Sequence, residues 1–139
     1  MAKKTTSPRK KSARQEQHNL DVEISFLEGI IRRDADYVEA LQILGDAYTR
    51  RGKFSDGLNV DEQLSRLRPD DFLVHYNLAC SYSLMEDFER ASRALERALE
   101  LGYRDFKWIA KDPDLKKLRG DSRYQRIEQM VRELLVQAP

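Results

Sequence analysis

The sequence predicts an all-α fold, a short solenoid of stacked antiparallel helix pairs. Three observations point there. Apolar residues recur at helical spacing along most of the chain. The stretch Leu44-Gly45-Asp46-Ala47-Tyr48 returns 34 residues later as Leu78-Ala79-Cys80-Ser81-Tyr82. The echo extends outward through Leu41/His75, Phe54/Phe88, Gly57/Ala91, Leu64/Ala98 and Leu67/Leu101. A fixed period carrying small and large apolar residues marks repeated helix–turn–helix units, each burying its face against the next. Finally, only 6 Gly and 4 Pro in 139 residues disfavour a turn-rich all-β fold.

Taken in order, residues 1–16 form a basic arm rich in Lys, Arg, Ser and Thr. Such a segment buries too little apolar surface to offset its ordering entropy, so disorder is expected. A helix follows within 17–35, with Leu20, Ile24, Leu27 and Ile31 on one stripe, widened by Phe26 and Ile30. Asp34 or Asp36 is the expected cap of the next helix. Residues 38–71 make one helix pair, with Val38, Leu41, Leu44, Ala47 and Tyr48 inward in its first helix and Leu58, Leu64 and Leu67 in its second. Arg50-Arg51-Gly52 ends the first helix with cations and a glycine. Pro69 and Asp70-Asp71 break and recap the chain. Residues 72–105 repeat the plan, with Val74, Leu78, Ala79, Tyr82 and Met85, then Phe88, Ala91, Ala94, Leu95, Ala98 and Leu101 inward. Residues 106–139 are expected to cap the array. Asp112-Pro113 starts a short turn there, and a last helix carries Tyr124, Ile127, Met130, Val131, Leu134 and Leu135.

The net charge of +1 conceals an asymmetry. Residues 1–15 hold six cations and no acid, leaving 19 cations against 24 acids in the rest. The single cysteine, Cys80, offers no internal disulfide. No apolar run is long enough for a bilayer, and the basic N-terminus lacks the apolar core of a secretory signal. The expected location is the cytoplasm, with no membrane contact.

The Leu44/Leu78, Gly45/Ala79 and Tyr48/Tyr82 set, the small residues Gly57/Ala91 and the closing Pro69 resemble the tetratricopeptide repeat family. The segment from Trp108 through Asp112-Pro113-Asp114-Leu115 to Arg123-Tyr124 looks like the closing segment at the end of many bacterial repeat groups. The helix at 17–33 resembles the second helix of an upstream half-repeat. Departures are plain: Leu41 and His75, then Asp61 and Leu95, stand where the family keeps aromatics, and Tyr103 replaces a closing proline. The resemblance implies a small right-handed solenoid used for protein–protein contacts.

It also implies a concave groove lined by the first helix of each pair. The residues that fall on that groove are Gln42, Asp46, Arg50, Leu73, Tyr76, Asn77 and Cys80, with Tyr76 and Asn77 near its centre. Lys107 and Lys111 fall at the basic positions that carboxylate-clamp members use, and Asn77 matches the clamp asparagine. Gln42 and Asp46 stand where the clamp wants a cation and an asparagine, and Asp46 would repel a terminal carboxylate.

No residue constellation for catalysis is present. His18 and His75 are remote from any nucleophile or ligand cluster in sequence, and the chain lacks a phosphate-binding glycine loop, CxxC or HExxH. No metal or other cofactor is expected. The leading reading is a non-catalytic scaffold or adaptor that binds a partner protein or peptide segment. Exposed terminal helix faces leave room for self-association. The alternative is a nucleic-acid-associated accessory protein anchored by Lys3, Lys4, Arg9, Lys10, Lys11 and Arg14, whose charges could neutralise several phosphates.

Overall fold

A computed structural model describes residues 12–137. The helices are α1 (Ala13–Arg33), α2 (Val38–Arg50), α3 (Phe54–Leu67), α4 (Phe72–Leu84), α5 (Phe88–Leu101), α6 (Phe106–Ile109), α7 (Lys116–Arg119) and α8 (Tyr124–Gln137), with a 3-10 turn at Pro113–Leu115. Each of α2 to α5 packs on its neighbour in chain order, α1 packs on α2, and α8 packs on α5. The 3-10 turn and α7 fold back over α4. This is an all-α solenoid of the tetratricopeptide type.

The helix starts and stops have local causes. Helix α1 begins at Ala13, earlier than expected, because Ser12 Oγ accepts from Gln15 N at 3.1 Å. The Ser-x-x-Gln pattern is a capping signature. The expected disordered arm of 1–16 therefore ends sooner: residues 12–16 belong to the cap and first turn of α1, and residues 1–11 lie outside the described residues. Helix α2 is preceded by Tyr37, which makes no side-chain cap bond. Neither expected cap serves α2: Asp34 is the C-terminal cap of α1, and Asp36 accepts from Gln63 Nε2 at 3.0 Å, tying the turn to α3. Asp71, Asp87 and Asp105 do cap α4, α5 and α6.

Two clusters of buried apolar side chains make the core. The first joins Ile24 and Leu27 to Leu41, Leu44, Tyr48, Val60, Leu64 and Val74. The second joins Leu78 and Ala79 to Leu95, Ala98, Leu99, Ile109, Leu115, Leu118 and Ile127. Gly45 lets α3 approach α2: a Cβ there would lie 3.2 Å from Val60 and from the Asp61 carboxylate. Three expected inward residues are instead on the surface. Phe26 is 68% exposed, Met85 43% and Leu135 55%. Among the described residues α1 has one face open, Met85 follows the last turn of α4, and Leu135 lies beside the exposed Val136 at the end of α8.

One hydrogen bond repeats with the lattice. Tyr82 OH donates to Glu62 Oε2 at 2.7 Å, and Tyr48 OH donates to Glu28 in the same way one repeat earlier. Glu28 and Glu62 are themselves 34 residues apart. Helix α1 thus occupies the place of α3 in the preceding repeat position.

Candidate functional site

A cavity of about 250 Å³ opens between α2, α4 and the segment leading from α6 into the 3-10 turn. Helix α2 contributes Gln42, Asp46 and Thr49, and α4 contributes Tyr76, Asn77 and Cys80. Asp61 and Leu64 of α3 form the floor with Ser81, and Trp108, Asp112 and Asp114 close the far side. Four aspartates line it, and among the described residues no Lys or Arg does.

The carboxylates are not equivalent. Asp61 is 7% exposed and accepts from Ser81 Oγ. Burial pushes its pKa up to about 6, the Ser81 bond partly offsets this, and the charge of Asp46 adds to the rise. Asp114 is also pushed above the usual carboxylate range, by burial first and then by Asp112 and Asp46. Asp46 thus acts on acids from two other elements, α3 and the 3-10 turn. It is itself exposed, with Arg50 at 3.6 Å one turn along the same helix.

Asp112 is spent on the architecture. Its Oδ2 accepts from Tyr76 OH at 2.5 Å and lies 3.7 Å from the Cys80 thiol. Its Oδ1 accepts from Asp114 N at 3.0 Å and caps the 3-10 turn. The Tyr76 ring stacks on Tyr103 with centroids 4.2 Å apart. Together these contacts pin the capping segment onto α4. Cys80, Asp112 and Asp114 bring one donor atom each within 4.8 Å of one another. The thiol is held protonated, its pKa pushed well up by burial and then by the two carboxylates. A buried protonated thiol is a poor metal ligand and a poor nucleophile.

The structure brings Gln42, Asp46, Tyr76, Asn77 and Cys80 into this one cavity. Two of them differ from expectation in exposure. Tyr76 is 4% and Cys80 7% exposed, so both are wall residues rather than contact surfaces. The register put Tyr76 on the groove stripe, but the returning Asp112 takes its hydroxyl and Tyr103 covers its ring. Arg50, Leu73, Lys107 and Lys111 do not line the cavity. Arg50 borders a separate hollow against the N-terminal half of α1. Helix α6 is a single turn, so it presents Trp108 to the cavity while Lys107 and Lys111 stay exposed outside it. Of the arm, Lys3, Lys4, Arg9, Lys10 and Lys11 lie outside the described residues, and Arg14 is exposed in the first turn of α1.

Sequence reasoning missed Asp61, Trp108, Asp112 and Asp114 as cavity residues. Asp61 carried a signal: it is an acid at the lattice position that Leu27 and Leu95 fill in the neighbouring repeats. The other three reach the cavity only because the cap folds back.

Residues 74–114, from α4 through the start of the cap, match the family model described as tetratricopeptide repeat. The segment contains Asn77, Trp108, Asp112 and Asp114. The chain is also similar to a chloroplastic protein of Arabidopsis thaliana, with 38% identity over 91 residues. That match covers 63% of this chain and 26% of the plant protein. Among the described residues no helix is long and apolar enough to cross a membrane. Repeats of this kind serve as protein-interaction modules and are typically non-catalytic. The helix pairs stacked in 34-residue register are thus of the tetratricopeptide type, and the stretch from α4 to the start of the cap matches the model of that repeat.

Proposed function

We propose that this chain is a non-catalytic cytoplasmic adaptor whose concave cavity receives a cationic side chain from an exposed segment of a partner protein. The observation that carries the reading is the cavity lining: aspartates from three elements and no cation among the described residues. Their mutual repulsion is relieved when a Lys or Arg enters, which is where binding free energy would come from. Gln42 and Asn77 offer amide groups for the partner's backbone. Trp108, 40% exposed, supplies a face for the aliphatic stem or the charged head of the guest. Ile43 and Leu73, each 51% exposed, suit apolar neighbours on either side. Tyr76 and Cys80 hold the wall and do not touch the guest. The free, buried Cys80 fits a reducing compartment.

The test is a titration of the labelled protein with a short peptide bearing Lys and Arg, and with the same peptide carrying Glu at those positions. The basic peptide should bind at low salt and the acidic one should not. Asp46→Lys and Trp108→Ala, both surface changes, should each weaken binding about tenfold while leaving the helical signal unchanged. Equal binding of the two peptides, or binding indifferent to both substitutions, would move the contact away from this cavity.

A further inference from the structure

Among the described residues, helix α1 has an unpartnered face. Its lattice equivalents show what that face is for. Phe26 and Ile30 correspond to Val60 and Leu64 one repeat later. Those two residues are 8% and 3% exposed, and Val60 meets α2 at Gly45. Phe26, by contrast, is 68% exposed, and Val22 beside it 57%. A hollow of about 410 Å³ runs along the same face, lined by Ser25, Phe26, Gly29, Ile30, Arg32 and Arg33.

Gly29 is the second observation. Glycine inside a helix is destabilising relative to alanine. Gly45 has an internal reason, the close approach of Val60 and Asp61. Gly29 has none among the described residues: a Cβ there would meet only the end of the Arg32 side chain, at 3.5 Å. A glycine between Phe26 and Ile30 on an open helix face leaves space for another helix to come close.

We infer that this face pairs with the same face of a second copy, α1 against α1 in antiparallel orientation about a two-fold axis. Charge selects the occupant. Glu23 and Arg33 flank the apolar patch, separated along the helix by a rise of about 15 Å. Neither forms an ion pair among the described residues. Reversing one copy about the midpoint places Glu23 opposite the partner's Arg33, twice, and sets Phe26 over the partner's Gly29 and Ile30. An isologous contact needs such a self-complementary pattern. Residues 1–11 contain no Leu, Ile, Val or aromatic residue. One helix-on-helix contact lies below the roughly 1,200 Å² of a stable interface, so the dimer is a weak one, forming at micromolar concentration and above.

Sedimentation equilibrium of the full chain from about 5 to 500 µM tests it. The apparent mass should rise with concentration toward twice that of the monomer. Phe26→Glu should abolish the rise while the helical signal persists, because that ring makes little contact within the monomer. Gly29→Ala should raise the melting temperature of the monomer and weaken association at least tenfold. Glu23→Arg and Arg33→Glu should each weaken it, and the double exchange should restore it. A monomer at all concentrations would overturn the inference, as would a dimer indifferent to Phe26→Glu and to the charge exchange.

Discussion

The two helix pairs, α2–α3 and α4–α5, share a lattice and differ in what they place on it. The shared positions hold the helices together: Leu44 and Leu78, Tyr48 and Tyr82, and the acceptors Glu28 and Glu62. The differing positions shape what is particular to this protein. Asp61 stands where Leu95 stands, and Ser81 supplies its hydrogen bond where the preceding pair has Ala47. Gly52, at φ 84°, becomes Glu86 at φ 61°, whose carboxylate meets Lys117 of α7 at 2.9 Å. The first pair thus brings a buried acid to the cavity floor, and the second, whose buried polar side chains include Ser81, Ser83 and Ser92, accepts the cap. Conformity to the repeat keeps the helices packed, and departure from it sets what is particular to this chain.

Exchanging the two chemistries breaks the comparison most sharply. Leu95 is fully buried among Ala98, Leu99 and Leu115. Leu95→Asp would bury a carboxylate with no Ser81 counterpart, since Leu115 occupies the equivalent position. It should cost about 4 kcal/mol or more, measured by urea unfolding. At Asp61 the effect is one of pH. Its pKa rises from the ordinary 3.8 to about 6 on folding. A carboxyl that binds its proton more tightly when folded gives stability that is full below the unfolded value. That stability is lost as pH climbs through the folded value. Stability should therefore fall between pH 4 and 6 by as much as ~3 kcal/mol, and Asp61→Asn should flatten that fall.

Smaller changes sharpen the parallel. Tyr48→Phe and Tyr82→Phe should each cost about 1 kcal/mol, by similar amounts, because they remove the same hydrogen bond from successive repeats. Unequal losses, read from denaturation midpoints, would show that α1 is not equivalent to α3. Glu86→Gly should have the smallest effect and the opposite sign. Releasing a non-glycine residue from the left-handed region contributes about 1 kcal/mol, less the small value of an exposed ion pair.

Much of the fold was legible because helix packing leaves a periodic trace. Leu41, Leu44, Ala47 and Tyr48 fall on the stripe they bury, and Gly52 and Gly102 close helices with positive φ. The cavity was legible only in part. Register alone put Gln42, Asp46 and Asn77 on the concave side. It could not show that Tyr76 is covered, because its partners Tyr103 and Asp112 come from the next segment and return over α4. Periodicity encodes which face a residue takes, not which distant segment will lie against it. The same limit applies to Phe26 and Leu135, apolar at inward-looking positions on helices with no neighbour there.

Side-chain carboxyl NMR of Asp61 and Asp114 across pH 3–8, with and without the Lys- and Arg-bearing peptide, addresses the central claim directly. Asp61 should titrate at about 6 in the free protein and at a lower value in the complex, because a bound cation favours its ionised form. Asp114 should move in the same direction, and the peptide should bind more tightly above pH 6 than below it. A peptide that binds while leaving both titrations unchanged would contradict the account, as would one that does not bind at all.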